Sequence, residues 1–242
     1  HELRTPLTGI LGYADILLRR QVPPERARVW HEEILAGSKR LLRIVEMLEF
    51  FASSGAGRML LRPEPVDLAD LIAEVLAGWE QRLPSTHTLV SRLGAGSTVV
   101  IADRRWLALA LDELIDNGVK FSPLGGRILV SAGPARSRSA NGDRPRWVEL
   151  AVTDRGMGMT PEEQANAFGE FVQGDSSDTR RYGGLGLGLT LVQRVSHGLG
   201  GKVTCRSTPG KGSTVIVRLP AGEDPSALPP GDRTTGQHAA IR

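Results

Sequence analysis

The sequence predicts a helical hairpin followed by an α+β domain, and three observations carry that prediction. Apolar residues recur at alternating three- and four-residue spacing through the first fifty positions. The pattern stops at "SSGAGR", and beyond it strand-like alternating runs are interleaved with amphipathic segments. With 242 residues, 40% of them hydrophobic and 24% charged, the chain has enough apolar content for two domains with cores of their own.

The first helix carries Leu3, Leu7, Ile10, Ala14 and Leu17 on one stripe. After the break "QVPPE", the second carries Trp30, Ile34, Gly37, Leu41, Ile44, Leu48 and Phe51. Two such helices bury their stripes poorly alone, so a four-helix bundle formed by a homodimer is expected. The hairpin is assigned to residues 1–57. In the second domain, 58–220, Asp67 is expected to cap "LADLIAEVLAGWEQRL" and Asp103 to cap "RRWLALALDELIDNGVKF". "HTLVSRL", "STVVIA", "RILVSAG" and "WVELAVT" read as strands. "KVTCRSTPGKGSTVIVRL" reads as a hairpin turning at "PGKG", and "LGLTLVQRVSHG" as a short helix. The polar stretch "PARSRSANGDRPR" is expected to be a mobile loop, and residues 221–242, rich in Pro, Gly, Asp and Thr, a disordered tail.

Composition narrows the function. One cysteine, Cys205, excludes an intrachain disulfide framework and a cysteine-rich zinc site, and a reducing, cytoplasmic setting fits this segment. A net charge of +3 with 5% aromatic residues and no long basic run argues against a nucleic-acid partner. No apolar stretch approaches the roughly 20 residues of a membrane span. The chain does not begin with methionine and is expected to be a piece of a longer protein, with membrane contact only through segments upstream.

The opening "HELRTPL" places a histidine at the head of the first helix. At about 100° per residue, Thr5, Thr8, Gly12 and Arg19 lie within about 40° of His1, away from the apolar stripe. His1 is therefore expected to face solvent among small neighbours. Glu2 could hold its Nδ1 proton and leave Nε2 free as a nucleophile, and Pro6, lacking an N–H, should bend the helix locally. An ordinary surface histidine explains the same local pattern. A zinc-binding HExxH reading fails, because the second histidine is absent.

Three stretches of the second domain carry chemistry together. In "DELIDNGVKFSP", Glu113, Asn117 and Lys120 share one helix face opposite Leu107, Leu111 and Leu114. Their oxygens suit Mg²⁺ and the ammonium suits a phosphate, although a solvated polar face reads the same way. In "VTDRGMGM", Asp154 follows an apolar strand. Such a carboxylate accepts a hydrogen bond from an exocyclic amine like that of adenine, and Gly156 and Gly158 would let backbone approach a ligand; a plain turn is the alternative. In "GGLGLGLTLVQ", Gly183, Gly184, Gly186 and Gly188 open a helix, where free N–H groups receive phosphate. The run lacks the G-x-G-x-x-G spacing of a dinucleotide fold and the G-K-[ST] of a P-loop.

The set, in this order, resembles the sensor histidine kinases of two-component systems over residues 1 to about 219. "HELRTPL" is similar to the family's H box, "ELIDNGVKFSP" to its N box, and "DRGMGM" and "GGLGLGL" to its two glycine boxes. "AFGEFVQGDSSDTRRYGG" is similar to its F box and ATP lid. The resemblance implies an α+β sandwich of the Bergerat type binding ATP and Mg²⁺. Asp154 would read the adenine amine, Asn117 would hold Mg²⁺ beside Glu113, and Lys120 would reach phosphate next to Phe121. Gly156 and Gly158 would line the nucleotide, and Gly184, Leu185, Gly186, Leu187 and Gly188 would form the lid hinge, with Phe168 and Phe171 anchoring the lid. His1 would attack the γ-phosphate with Glu2 as its orienting base, and Thr5 would orient water for dephosphorylating the partner, a response-regulator receiver domain. One departure stands out: Glu113 occupies a position where many members have asparagine, and related ATPases use a glutamate there to activate water. A conformational ATPase and a non-enzymatic dimeric scaffold are the competing readings.

Overall fold

The computed structural model describes residues 3–55, 61–80, 82–135, 147–169 and 186–222. The chain divides into two compact units, His1–Leu60 with Gly169–Leu191 and Leu61–Phe168 with Val192–Arg242. Among the described residues no helix is long and apolar enough to cross a membrane.

The first unit is built on the hairpin α1 (Arg4–Arg19) and α2 (Pro24–Gly55). Tyr13 and Trp30 stack across it with ring centroids 6.1 Å apart, and the Arg26 guanidinium lies 5.6 Å from the Trp30 centroid. Ile10, Ala14 and Leu17 meet expectation as half-buried positions, but Leu3 and Leu7 are 43% and 47% exposed. On α2 the buried positions near the end are Ile44, Met47 and Phe50, while Leu48 is exposed. Towards its end the buried stripe of α2 thus lies one residue before the expected one. Leu11, Leu18, Leu35, Leu42 and Val45 are exposed as well, because a pair of helices buries only the stripe where they touch. Pro6 is buried and falls in the first turn of α1 as described, where a missing N–H interrupts no bond within Arg4–Arg19. The carbonyl of Glu2, on which the expected bend depends, lies outside the described residues.

The second unit sets a five-stranded mixed sheet against helices. The strands are β2 (His87–Leu93), β4 (Gly126–Pro134), β5 (Trp147–Thr153), β6 (Lys202–Thr208) and β7 (Gly212–Pro220), in the order β2-β4-β5-β7-β6. Only β2 and β4 run parallel. Alternation places Ile128, Val130, Val148, Leu150, Val217 and Leu219 in the core with Leu68, Leu71 and Ile72 of α3 (Leu68–Trp79) and Leu107, Leu111 and Ile115 of α4 (Arg104–Lys120). Both helices start where their aspartates predict. Asp67 accepts from the Ala69 N–H and the Thr98 hydroxyl; Asp103 accepts from the Trp106 N–H and, across the chain, from that of Arg62. Helix α3 stops at Trp79, short of the predicted Leu83. There the indole N–H donates to Asp112 of α4 at 2.6 Å and the Arg82 guanidinium lies 4.2 Å from the ring centroid.

Two elements escape the sequence reading. Strand β1 (Glu64–Asp67) is four residues long with a proline, yet pairs antiparallel with β3 (Val99–Ala102). Helix α5 (Pro161–Asn166) is a single capping box: the Thr160 hydroxyl accepts from the Glu163 N–H, and the Glu163 carboxylate accepts from the Thr160 N–H. The last described helix, α6 (Gly188–Gly198), ends in a Schellman turn. Gly200 has φ +73°, the Gly201 N–H donates to Ser196 O and the Gly200 N–H to His197 O, which closes the helix within "VSHGLGGKV". The tail assignment needs correcting at its start. Ala221 bridges to Val100 and the Gly222 N–H donates to Val99 O at 2.8 Å, so β3 holds both residues to the domain. Of the predicted mobile loop, residues 136–146 lie outside the described residues, as does the tail from 223.

Candidate active site

The C-terminal half of α4, the loop after β5 and the β6–β7 turn converge on Asp154. Helix α4 buries Leu107, Leu111 and Leu114 as its apolar spacing requires, but the opposite face is not simply solvated. Glu113 is only 7% exposed, and Asn117, one turn on, is half-buried. Lys120, in the last turn, holds its Nζ 5.0 Å from the centroid of the Phe121 ring. Between them, Gly118 leaves room for the neighbouring loop: a Cβ there would come within 3.7 Å of the Asp154 Cβ.

Asp154 leaves β5 with its carboxylate fixed. Its Oδ1 accepts from the Gly156 N–H at 2.8 Å and the Ser213 N–H at 3.1 Å, and its own N–H donates back to Ser213 O at 2.9 Å. Among the described residues no donor reaches Oδ2. Burial pushes the carboxyl above its ordinary value, and the backbone N–H groups of Gly156, Ser213 and Asp154 itself pull it only part of the way back. A half-buried carboxylate with one oxygen saturated by backbone and the other open is chemically suited to a single directional acceptor role.

The glycines beside it serve a packing need that the sequence did not show. A Cβ on Gly156 would lie 2.0 Å from Phe121 O, and one on Gly158 2.0 Å from Thr208 O. What they admit is the protein's own backbone: the Met157 N–H donates to Phe121 O at 2.9 Å and Met157 O accepts from Gly210 at 2.7 Å. Gly158 also has φ +66°, which side chains rarely adopt. The loop is clamped between the end of α4 and the β6–β7 turn.

Sequence reasoning missed the polar groups behind this clamp. Ser207 and Ser213, flanking the turn, have their hydroxyl oxygens 2.9 Å apart, and Ser207 also binds Met159, Gly212 and Gln164. Their signal was legible in hindsight, since strand alternation puts both serines on the face of Asp154. Just past the C-terminus of α4, the His87 Nε2 lies 3.0 Å from Ser122 O and its Nδ1 3.0 Å from the Thr86 hydroxyl. A carbonyl only accepts, so the proton sits on Nε2. Cys205, on the same strand face as Ser207, has its thiol pushed up to about 11 by burial and by the negative charge of Asp154.

The structure thus gathers Glu113, Asn117, Lys120, Phe121, Asp154, Gly156 and Gly158 in one unit. Gly186, with φ +66°, and the buried Leu187 lead into α6 at Gly188 as the glycine run predicts, and Thr190 donates to Gly169 O, next to the half-buried Phe168. In the hairpin unit Thr5, Thr8, Gly12 and Arg19 are all exposed, as the helical projection requires. His1, Glu2, Gly184, Leu185 and Phe171 lie outside the described residues. The oxygen set of Glu113 and Asn117 fits Mg²⁺, which is held by one or two carboxylates with phosphates and water rather than by a full protein cage. The described residues hold no group of three or more His, Cys, Asp or Glu able to bind a metal.

A half-buried aspartate at the end of a sheet strand, beside an Asn- and Lys-bearing helix and preceded in the chain by a helical hairpin, defines a class: a two-domain protein with a Bergerat-type ATPase domain. Comparison with known proteins agrees. Residues 102–223 match the histidine kinase-, DNA gyrase B- and HSP90-like ATPase family, and residues 1–57 match the His kinase A (phospho-acceptor) domain. The chain belongs to this ATPase family, and it has the domain pair of a two-component sensor histidine kinase core.

SenX3 of Mycobacterium tuberculosis, a sensor-like histidine kinase, is 33% identical over 222 residues, 91% of this chain and 52% of SenX3. The sensor protein DivL of Caulobacter vibrioides is 35% identical over 95% of this chain and 28% of its own length. The chain therefore spans about half the length, or less, of these curated relatives. Among solved structures, the Acinetobacter baumannii histidine kinase AdeS superposes with TM-score 0.63 at 25% identity, covering 92% of this chain and 98% of that one. Full-length ShkA in complex with AMPPNP gives TM-score 0.64 at 29% identity, over 91% of this chain and 44% of that one.

Proposed function

We propose that this chain is the catalytic core of an ATP-dependent protein-histidine kinase that phosphorylates its own His1 and passes the phosphoryl group to an aspartate of a response-regulator receiver domain. The observation that carries the reading is Asp154: its Oδ1 is spent on two backbone N–H groups and its Oδ2 is open to an exocyclic amine, beside the α4 residues that suit metal and phosphate. The relative ShkA was crystallised with AMPPNP, which supports a nucleotide at this site.

In this reading Asp154 orients adenine, Lys120 binds phosphate oxygens, and Asn117 with Glu113 would hold Mg²⁺, whose charge offsets that of the phosphates. The His1 Nε2 forms a bond to the γ-phosphorus as the bond from that phosphorus to the β–γ bridging oxygen breaks, and ADP leaves. Glu2 keeps the Nδ1 proton in place, so the lone pair stays on Nε2. Such a transfer asks the protein mainly for positioning and charge neutralisation. Thr5, exposed on α1, is assigned to water positioning in a regulator-phosphatase reaction. The exposed apolar side chains of the hairpin, among them Leu7, Leu11, Leu35 and Leu42, support a homodimer in which a second hairpin covers them.

Incubation of the chain with Mg²⁺ and γ-labelled ATP tests the proposal. The expected label is acid-labile and alkali-stable, absent from His1→Gln, which still binds ATP, and absent from Asn117→Asp. Label retained in His1→Gln refutes it. Steady phosphate release with no phosphoenzyme, abolished in Glu113→Ala, would favour a conformational ATPase instead.

A further inference from the structure

We propose that Ser207 is the positioning residue that gives the site its discrimination for a 6-amino purine, acting through Ser213 on Asp154; the inference rests on Asp154 reading the adenine amine. Ser207 is the penultimate residue of β6, and its groups reach three separate segments. Its Oγ accepts from the Met159 N–H at 2.7 Å, at the far end of the glycine loop that Asp154 begins. Its N–H donates to the Gln164 Oε1 of α5 at 2.9 Å. The same Oγ lies 3.1 Å from Gly212 O and 2.9 Å from the Ser213 Oγ.

The proton count closes. With the Ser207 hydroxyl donating to Gly212 O, its lone pairs take the Met159 N–H and the Ser213 hydroxyl, and no group in the cluster is left wanting. The Ser213 N–H in turn donates to the Asp154 Oδ1, and the Asp154 N–H donates to Ser213 O. Ser207 therefore pins both ends of the loop 154–159, one directly at Met159 and one through Ser213. Which carboxylate oxygen of Asp154 is spent on backbone and which faces outward depends on the Ser213 N–H staying where it is. Gly156 alone cannot settle this, because its N–H sits in the same loop and moves with it. A hydrogen bond to an exocyclic amine is steep in angle, so a loosened carboxylate loses selectivity before it loses charge.

The experiment compares the Kd of ATP with that of purine riboside triphosphate, which lacks the 6-amino group, by calorimetry on the whole chain with Mg²⁺. Wild type is expected to prefer ATP by roughly 10- to 100-fold, the worth of a hydrogen bond to a charged acceptor. Ser207→Ala is expected to cut that preference at least fivefold while weakening purine riboside triphosphate little, and Ser207→Thr, which keeps the hydroxyl, to restore it. A general loss of fold would weaken both nucleotides alike and leave their ratio unmoved. Ser207→Cys, close in volume and a poor hydrogen-bond partner, serves if the alanine variant does not fold and is expected to lose the preference too. No preference in wild type overturns the reading of Asp154 itself. A wild-type preference retained in Ser207→Ala or Ser207→Cys overturns the role of Ser207 alone.

Discussion

Replacing Asp154 with asparagine separates what this residue does for the ligand from what it costs the fold. Asparagine keeps an oxygen at Oδ1 to accept from Gly156 and Ser213, at 2.8 and 3.1 Å in the wild type. It puts an amide donor where Oδ2 was, facing the donor of an adenine amine. The variant should lose a hydrogen bond to a charged group, about 1.5–3 kcal/mol, or roughly 10- to 150-fold in ATP affinity. Stability should move the other way. Burial raises the carboxyl's pKa in the folded chain, so the fold binds that proton more tightly than the unfolded chain does. Stability contributed by this group is present below the unfolded value of 3.8 and is lost as pH rises towards the folded one. At neutral pH the wild type carries a partly desolvated charge that the variant lacks. Asp154→Asn is therefore expected to be at least as stable at pH 7, with its advantage shrinking in acid. Calorimetric titration with ATP and urea unfolding at two pH values measure both arms. Unchanged ATP affinity would refute the assignment of the ligand-facing oxygen, and a clear loss of stability at pH 7 would refute the claim that burial dominates.

Gly156→Ala should destabilise the second unit by about 3 kcal/mol in chemical denaturation, because its Cβ would meet Phe121 O at 2.0 Å. Gly78→Ala, exposed within α3 with no atom near the new Cβ, should instead stabilise by about 1 kcal/mol. Asp112→Ala leaves the indole N–H of the 3% exposed Trp79 without its acceptor and should cost about 1–3 kcal/mol, with a change in Trp79 emission. With its thiol pushed up to about 11, Cys205 should be alkylated at pH 8 about two orders of magnitude more slowly than a free cysteine, a protection that denaturant removes.

The elements that announce themselves locally were legible in the chain. Asp67 and Asp103 cap helices because a short carboxylate before an apolar run has one good use, and the alternation of "RILVSAG" and "WVELAVT" marks strands with one buried face. The motif order placed Asn117, Lys120 and Asp154 in one site. Strand β1 was not legible, since it is too short to establish a period and exists through pairing with β3; helix α5 is also too short for a period, and its capping box from Thr160 to Glu163, though written in the chain, was overlooked.

What the sequence by itself determined was the list of parts: a histidine-headed hairpin, a polar helix face, an aspartate at a strand end, and glycines on either side. Tertiary structure alone decided how those parts are used. Gly156 and Gly158 read as openings for a ligand until the fold brought Phe121 O and Thr208 O to within 2.0 Å of where their Cβ atoms would lie. Ser207 and Ser213 drew no reading from the sequence, and only the pairing of β6 with β7 closes their hydrogen-bond network around Asp154. The physical reason is one of range. Caps, periodicity and turn chemistry act over a few residues and are written in the chain, whereas close backbone contact and the sharing of a carboxylate oxygen depend on segments 35 to 59 residues apart meeting in space.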